Sequence, residues 1–282
     1  MKWIGIVHII MFAMVGSTIK AQEGQYRKVR EGNFITVDSV KLHYRMGGQG
    51  PHLLLLHGFT LSSDQWSGYF EGFGKNHTVI AFDFPGHGRS ARTGQEFSFK
   101  HWTELVLKAI ENLGVKKAKA IGHSYGAITL MSIARQQPDL LDAMVLISGA
   151  HRIDPAMRQI LLEDSFEKSD ADLQEYYRQI HNNDMGKING IFTDIRKFVE
   201  TRDMFSIDEI EEIQIPVLLV FGDRDTFYPL EIPLEMYKAL PNARLWIVPE
   251  QGHTPVWASM GADRQTAQIF PKMVSRFFKN SN

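Results

Sequence analysis

The pentapeptide Gly122-His123-Ser124-Tyr125-Gly126 has the pattern G-x-S-x-G and lies between two stretches of different character. A short strand-like run ends at residue 121, and residues 127–135 (AITLMSIAR) have the pattern of a buried helix. A chain that changes from strand to helix so abruptly passes through a strained backbone, and small residues two positions either side of the serine let strand and helix pack closely. This context indicates a nucleophilic serine at Ser124.

The pentapeptide alone is weak evidence, because a chain of this length contains it by chance about one time in ten. The length of 282 residues fits one large domain with room for an insertion. The content of 44% hydrophobic and 22% charged residues is that of a globular protein. A net charge of -1 gives no electrostatic reason to expect nucleic acid or an anionic membrane as a partner, so function has to be argued from a site.

The first 21 residues have the pattern of a secretory signal peptide. Lys2 precedes an apolar run from Trp3 to Val15, and small residues follow up to a possible cleavage point after Ala21. The run is shorter than the roughly 20 residues that a spanning helix needs, which favours a cleaved signal over an uncleaved anchor or a buried N-terminal segment. We therefore expect an exported protein, periplasmic or secreted, with no stable membrane span after cleavage.

Cysteine is absent from the sequence, which excludes a disulfide framework, a cysteine nucleophile, a cysteine-ligated metal and a lipid-modified cysteine. The 11 histidines show no H-E-x-x-H or comparable spacing, and we expect His151 and His181 on a solvated helical face. No G-x-G-x-x-G follows a predicted strand, since Gly86-His87-Gly88 lacks the third glycine at the right offset. The sequence therefore predicts neither a metal nor a cofactor.

Beyond residue 26, short apolar runs alternate with helical patterns. Lys28 to Val37 and Val40 to Arg45 are predicted to form an antiparallel pair, followed by a turn over residues 46–51 (MGGQGP). Six further runs are predicted as strands: Leu53 to Leu56, Thr78 to Phe82, Lys119 to Ile121, Ala143 to Ile147, Val217 to Phe221 and Arg244 to Val248. Such alternation is typical of a mostly parallel sheet covered on both faces, which binds ligands at the carboxyl ends of its strands.

Recognisable motifs follow these strands. They are His57-Gly58-Phe59, residues 83–90 (DFPGHGRS), the pentapeptide around Ser124, residues 222–225 (GDRD) with Pro229, and Gly252-His253. A serine, an aspartate and a histidine, each just beyond a strand, follow the chain order of one known catalytic triad. Over roughly residues 26–280 the chain resembles the α/β-hydrolase fold family. The resemblance implies an α/β fold with a mostly parallel central sheet flanked by helices, its core formed by residues 22–149 and 216–282.

The chemistry of acyl transfer gives each of these residues a role. A serine hydroxyl is a poor nucleophile at neutral pH, so a base must accept its proton as Ser124 attacks a carbonyl carbon. His253 is the candidate base, and Asp225 would hold the imidazole tautomer and stabilise the cation that forms. The oxyanion needs two backbone N–H donors, which by position are those of Phe59 and Tyr125.

The identity of the catalytic acid leaves an alternative open. Some members of the family place the acid after the preceding strand, here near Ser148 to Asp154. The family's G-x-x-D spacing favours Asp225, with Asp223 as a solvated loop residue. His57 and His123 are predicted to be structural residues that support the turns carrying them, and residues 83–90 are predicted to build a turn near the site.

Between residues 150 and 215 the pattern changes from strands to amphipathic helices, predicted over Met157 to Phe166, Asp170 to His181, Met185 to Glu200 and Ile207 to Ile213. The resemblance implies that this insertion is a lid that roofs the active site. Its apolar residues are first of all core of the lid, for example Met157, Ile160, Tyr176, Tyr177, Phe192, Phe198 and Met204. A minority of these apolar residues is expected to line a pocket. Phe59, Tyr125 and Trp257 are further candidates for the wall, so the small-molecule substrate is expected to have an apolar part.

We therefore expect a serine hydrolase that cleaves a carboxylic ester of a small or medium apolar substrate through an acyl-enzyme intermediate. Members of the same fold cleave amides, lactones or carbon–carbon bonds, and the motifs do not separate these activities. A serine at position 124 argues against dehalogenase and epoxide hydrolase chemistry, and its neighbours differ from the Gly-Gly-Ser-Trp-Gly of proline-releasing peptidases. A weakly catalytic protein that binds a small ligand is the remaining alternative.

Overall fold

The computed structural model describes residues 32–200 and 204–281 of the chain. The predicted signal peptide, residues 1–21, lies outside these ranges, and so does the start of the first predicted strand at Lys28. Within the described ranges, no helix combines the length and the apolar character needed to cross a membrane.

One sheet of eight strands forms the centre of the described part of the chain, in the order β1-β2-β4-β3-β5-β6-β7-β8. β1 and β2 pair antiparallel with each other, β2 pairs antiparallel with β4, and the remaining neighbours are parallel. The bounds are β1 Asn33–Val37, β2 Val40–Gly48, β3 His52–Leu56, β4 Thr78–Phe82, β5 Ala118–His123, β6 Leu141–Ile147, β7 Val217–Gly222 and β8 Ala243–Val248. The predicted fold class, a mostly parallel sheet flanked by helices, is confirmed.

Nine α-helices accompany the sheet in the described residues: α1 Ser67–Gly74, α2 Phe99–Asn112, α3 Tyr125–Gln136, α4 Pro155–Glu163, α5 Ala171–Ile180, α6 Met185–Glu200, α7 Ile207–Glu211, α8 Glu231–Ala239 and α9 Arg264–Lys279. Several begin at a polar cap, because the first N–H groups of a helix have no partner within it. Ser98 accepts the N–H of His101 at the start of α2, and Asp263 accepts that of Thr266 at the start of α9.

The two faces of the sheet bury separate hydrophobic clusters, because successive side chains of a strand point to opposite faces. In β3, Leu54 and Leu56 belong to the first cluster and Leu53 and Leu55 to the second, and all of them are fully buried. Residues of α2, α3 and α8 complete the first cluster, and residues of α1 and α9 complete the second. The loops that carry the predicted site residues follow the carboxyl ends of the strands.

Helices α4 to α7 lie between β6 and β7, in the region that we call the helical segment, residues 150–215. α4 ends at Glu163 rather than at the predicted Phe166, because Asp164 is extended and Phe166 begins a short 3-10 turn. Other residues of the segment join the first core cluster, among them Met157 and Phe198. The segment also has a cluster of its own, formed by Phe166, Leu173, Tyr177, Ile180, Ile188 and Phe192.

Candidate active site

Ser124 lies at the sharp turn that joins β5 to α3. β5 ends at His123 and α3 begins at Tyr125, so the serine is the single residue between strand and helix. Its φ is 50° and its ψ is -117°, a conformation that residues with a side chain rarely adopt. The N–H groups of Ala127 and Ile128 donate to the carbonyl oxygen of Ser124 at 2.9 and 3.0 Å, so the helix starts at once.

Glycine is needed on both sides of Ser124, because strand and helix lie too close for a side chain. A Cβ atom at Gly122 would lie 2.5 Å from the carbonyl oxygen of Gly126, and one at Gly126 would lie 2.3 Å from the carbonyl oxygen of Leu56. Both distances are shorter than a van der Waals contact, and the atoms that would clash belong to the backbone. The turn therefore has the close packing that the pentapeptide predicts.

His253 and Asp225, from the loops after β8 and β7, are hydrogen-bonded to each other. The Nδ1 atom of His253 lies 3.0 and 3.1 Å from the two carboxylate oxygens of Asp225. The side chain of Asp225 is 1% exposed and that of His253 is 10% exposed, so the pair is largely shielded from water. The carboxylate also accepts the N–H groups of Phe227 and Tyr228 at 2.8 and 3.2 Å, which fixes its orientation towards the histidine.

Asp154, at the alternative position for the acid after β6, caps a helix instead of contacting His253. The carboxylate of Asp154 accepts the N–H of Ala156 at 2.9 Å and caps α4. Asp223, in the same loop as Asp225, lies 3.9 Å from Arg224. Of these three carboxylates, that of Asp225 is the one hydrogen-bonded to His253.

The loop after β3 brings Phe59 next to Tyr125, the two residues whose N–H groups are the predicted oxyanion donors. The centroids of their rings are 4.3 Å apart, and both residues line the same cavity as Ser124. A Cβ atom at Gly58 would lie 3.4 Å from the Cβ atom of Ser124, so the loop and the turn are in contact. The structure thus brings the predicted donors and the predicted nucleophile together.

A cavity of about 160 Å³ opens beside Ser124 and His253. Most of its wall is apolar and comes from the helical segment and from the loops at the carboxyl ends of the strands. The predicted wall residues Phe59 and Tyr125 line it, as do four apolar residues of the helical segment that the sequence singles out, Met157, Ile160, Tyr177 and Phe198.

The prediction that Trp257 lines this cavity is wrong. Trp257 is 3% exposed and packs edge-on against Trp66 and His123, with ring centroids 5.2 and 4.9 Å away. Its side chain belongs to the second core cluster, on the other face of the sheet from the helical segment. Closeness to His253 in the sequence does not determine which side of the loop a residue faces.

The chain is similar to known proteins over most of its length. It is 22% identical over 228 residues to an (E)-2-((N-methylformamido)methylene)succinate hydrolase of Acinetobacter baylyi, covering 75% of this chain and 86% of that protein. The structure of a meta-cleavage product hydrolase from Pseudomonas fluorescens matches with a TM-score of 0.72 at 20% identity, over 89% of this chain and 98% of that one. That of a membrane phospholipase A, a bacterial virulence factor, matches with a TM-score of 0.75 at 20% identity, over 98% of this chain and 94% of that one.

A family model for the alpha/beta hydrolase fold matches residues 51–188, a range that includes Phe59 and the turn at Ser124. This chain belongs to the α/β-hydrolase fold superfamily. The sheet order, the position of the serine after β5 and the structural similarities agree with that assignment. The protein is therefore a hydrolase.

Two buried histidines support the backbone around the site of this α/β hydrolase. The Nε2 atom of His57 accepts the N–H of Phe84 at 3.1 Å, and the Nε2 atom of His123 lies 3.0 Å from the carbonyl oxygen of His253. Burial lowers the pKa of His57 to about 4 and the pKa of His123 well below its ordinary value. Both rings are therefore neutral at neutral pH and act as hydrogen-bonding groups of fixed tautomer.

Tyr228 is a residue of the hydrolase site that the sequence analysis does not find. Its side chain is buried, lines the same cavity as Ser124, and lies with its ring centroid 5.5 Å from that of His253. Burial and the charge of Asp225 raise the pKa of the Tyr228 phenol above its ordinary value. The phenol therefore stays protonated beside the serine. Its only signal in the sequence is its position three residues after Asp225.

The expectation that His151 and His181 lie on a solvated face is wrong, since they are 4% and 1% exposed. His181 follows α5, and its Nδ1 atom accepts the N–H of Gly88 at 2.9 Å while Nε2 lies 2.8 Å from the carbonyl oxygen of Thr60. Burial lowers the pKa of His181 to about 4, which keeps the ring neutral and Nδ1 able to accept. His181 thus ties the helical segment of this hydrolase to the loops after β3 and β4.

Proposed function

We propose that this α/β hydrolase is a serine hydrolase that cleaves a carboxylic ester of a small or medium apolar substrate through an acyl-enzyme intermediate. The observation that carries the proposal is that Ser124 and His253 line one apolar cavity while Nδ1 of His253 lies 3.0 Å from the Asp225 carboxylate. With its proton held on Nδ1, a neutral imidazole presents an unprotonated Nε2, which is the form a general base requires.

In the proposed reaction, Oγ of Ser124 attacks the ester carbonyl carbon while Nε2 of His253 takes the hydroxyl proton. Asp225 stabilises the imidazolium that forms. The N–H groups of Phe59 and Tyr125 donate to the oxyanion, and each such donor contributes about 3 kcal/mol in the transition state. The carbon–oxygen bond then breaks as His253 returns its proton to the leaving alcohol. Water repeats the sequence on the acyl-enzyme, which releases the acid and restores Ser124.

The cavity supports a small apolar acyl group. Its volume of about 160 Å³ is similar to the roughly 150 Å³ of an engineered apolar cavity that binds benzene. Met157, Ile160 and Phe198 of the helical segment form part of the wall. We propose that this segment acts as a lid that sets the size of the acyl group.

A second candidate is cleavage of an amide or a carbon–carbon bond. The names of similar proteins support it, because one relative is an (E)-2-((N-methylformamido)methylene)succinate hydrolase and one similar structure is a meta-cleavage product hydrolase. The same nucleophile, base and oxyanion donors serve these reactions when the base protonates a nitrogen or carbon leaving group. The candidates differ in the leaving group, so substrates that share an acyl group separate them.

The test compares p-nitrophenyl butyrate with p-nitrobutyranilide, which differ in the ester or amide link alone. We expect wild-type protein to hydrolyse the ester and a fluorophosphonate to label Ser124. Ser124→Ala should lose both while its circular dichroism is unchanged, and Ser132→Ala, within α3, should retain both. Faster cleavage of the anilide would place the amide reaction first. Folded wild-type protein with neither turnover nor labelling would overturn the enzymatic proposal in favour of a small-ligand binding protein.

We also propose that the protein is exported to the periplasm or the medium. The charged start, the apolar run from Trp3 to Val15 and the absence of cysteine support this proposal. Fractionation of a bacterial host that produces the full chain, followed by N-terminal sequencing, tests it. We expect a mature protein that begins at Gln22 outside the cytoplasm. A full-length chain retained in the cytoplasm would contradict export.

A further inference from the structure

Two parts of the site meet at one buried side chain, that of Gln65. Gln65 lies in a short 3-10 turn after β3, Ser63–Trp66, and is 6% exposed. Its Oε1 atom accepts the N–H of Gly58 at 3.1 Å, and its Nε2 atom lies 2.9 Å from Nδ1 of His123. A single amide therefore contacts both the loop that carries the proposed oxyanion donor and the turn that carries the proposed nucleophile.

The chain of hydrogen bonds continues from His123 to the base. The N–H of Gly58 can only donate, so Oε1 of Gln65 must face it and the amide NH₂ must face His123. Nδ1 of His123 is then the acceptor, and Nε2 carries the ring proton. That proton is donated to the carbonyl oxygen of His253, 3.0 Å away. The donor and the acceptor of each hydrogen bond in this series are therefore determined. The series ends at the backbone carbonyl of His253, the proposed base.

The turn that carries Gln65 is itself anchored. The N–H of Ser63 donates to Oδ1 of Asp83 at 2.6 Å, and the guanidinium of Arg45 donates to the carbonyl oxygen of Ser63 at 3.3 Å. Trp66, at the end of the turn, is fully buried in the second core cluster. These contacts fix the backbone of the turn against the core, while the oxygen and the nitrogen of the Gln65 amide contact Gly58 and His123.

We propose that Gln65 is a positioning residue that sets the oxyanion loop, the nucleophile and the base relative to one another, an inference that rests on the function proposed above. Gln65 is not among the residues that line the cavity, so it acts through Gly58 and His123. Without the amide, two buried polar groups lose their partner, and the loop relaxes to satisfy them. A displacement of about 1 Å in an active site can cost on the order of 100-fold in rate.

Gln65→Leu tests this proposal, because it keeps most of the side-chain volume and removes both hydrogen bonds. We expect kcat per active site, counted by titration to completion with a fluorophosphonate, to fall at least about 10-fold, while KM changes less than about threefold. Gln65→Glu keeps an acceptor for Gly58 and faces His123 with a carboxylate that can share a proton at Nδ1. We expect it to recover part of kcat and to change the pH profile, which a residue that only stabilises the fold would not do.

Ser62→Ala is the matched control, since Ser62 is 2% exposed and its Oγ atom accepts the N–H of Asp64 within the same turn. We expect a lower Tm with unchanged kcat per titrated site. An active wild-type protein together with Gln65→Leu at full kcat and lower Tm would overturn this inference alone. Wild-type protein without turnover would overturn the proposed function, and the inference would fall with it.

Discussion

His57 and Gly58 are joined by a hydrogen bond in which the imidazole Nδ1 atom lies 2.7 Å from the carbonyl oxygen of Gly58. Because Nε2 of His57 accepts the N–H of Phe84, the ring proton is on Nδ1 and is donated to that carbonyl. In a trans peptide, the carbonyl of Gly58 and the N–H of Phe59 point in opposite directions. By holding the carbonyl, His57 also sets the direction of the N–H that we propose as an oxyanion donor.

We expect His57→Phe to lower kcat by about 10- to 100-fold, because the ring volume is kept but the peptide between Gly58 and Phe59 is released. The free energy of unfolding should also fall by about 1–3 kcal/mol, since the N–H of Phe84 loses its buried acceptor. His87→Phe is the matched control, because His87 is also fully buried and its ring centroid is 5.4 Å from that of His57. Steady-state kinetics and thermal unfolding provide the measurements. Equal losses of kcat in both variants would argue against a specific role of His57.

Asp225→Asn should change the tautomer of His253 without changing the fold of the loop that carries Asp225. The amide oxygen can still accept the N–H groups of Phe227 and Tyr228, so Tm should change little. The amide NH₂ would face Nδ1 of His253 and move the ring proton to Nε2, which can then no longer accept the serine proton. We expect kcat to fall by about 10,000-fold, the loss that the wrong tautomer produces in serine proteases.

The control for this variant is Asp223→Asn, which makes the same chemical change two residues earlier in the loop. Asp223 lies beside Arg224 rather than His253, so kcat should stay within about threefold of wild type. A loss of similar size in both variants would mean that the charge of the loop, rather than the contact with His253, supports the activity.

The strands and the three proposed catalytic residues could be predicted from the sequence for the same physical reason. A parallel strand buried on both faces is an uninterrupted apolar run, as in β4 and β7, and the ligand site of such a sheet lies directly after these runs. Ser124 and Asp225 follow runs of this kind, and His253 follows β8, the partly exposed edge strand of the same parallel sheet. Their places in the chain are therefore visible without any knowledge of long-range contacts.

Other parts of the site depend on contacts that leave no local pattern. Gln65 and His123 are 58 residues apart in the chain, and His181 and Gly88 are 93 residues apart. A histidine on an amphipathic helix looks the same in sequence whether its face meets water or another loop, which is why His181 was expected on a solvated face. The prediction for Trp257 failed in the opposite sense, because a residue expected to line the cavity is buried in the core. An aromatic residue close to the base in sequence can belong to either environment.

Because these buried histidines are neutral in the folded protein, we expect the free energy of unfolding to fall at acidic pH. Burial lowers the pKa of His57 and that of His181 from 6.5 to about 4, although the charge of Asp83 acts in the opposite direction at both rings. Between these pH values the unfolded chain binds protons that the folded chain does not, so the free energy of unfolding falls as the pH drops from 6.5 towards 4. Each histidine contributes up to about 3 kcal/mol to this loss.

Denaturant unfolding at neutral and mildly acidic pH measures this loss in wild-type protein, His181→Gln and His101→Gln. The glutamine at position 181 retains a donor for Thr60 and an acceptor for Gly88 but does not titrate, so this variant should lose less stability on acidification. His101, in α2, is partly exposed and serves as the control, and its variant should follow the wild-type pH dependence. A wild-type pH dependence in His181→Gln would show that the acid sensitivity arises at other buried histidines.

The size of the acyl group should depend on Ile160, which lines the cavity from α4 and is only partly buried. We expect Ile160→Ala to move the optimum of kcat/KM among p-nitrophenyl esters towards longer acyl chains, because it lengthens the cavity, and Ile160→Trp to move it towards acetate. Leu162→Ala is the control, since Leu162 is also partly buried in α4 but is not among the lining residues. A chain-length profile that is identical in all four proteins, from acetate to decanoate, would mean that the acyl group does not contact α4 and would place it against the opposite wall of the cavity.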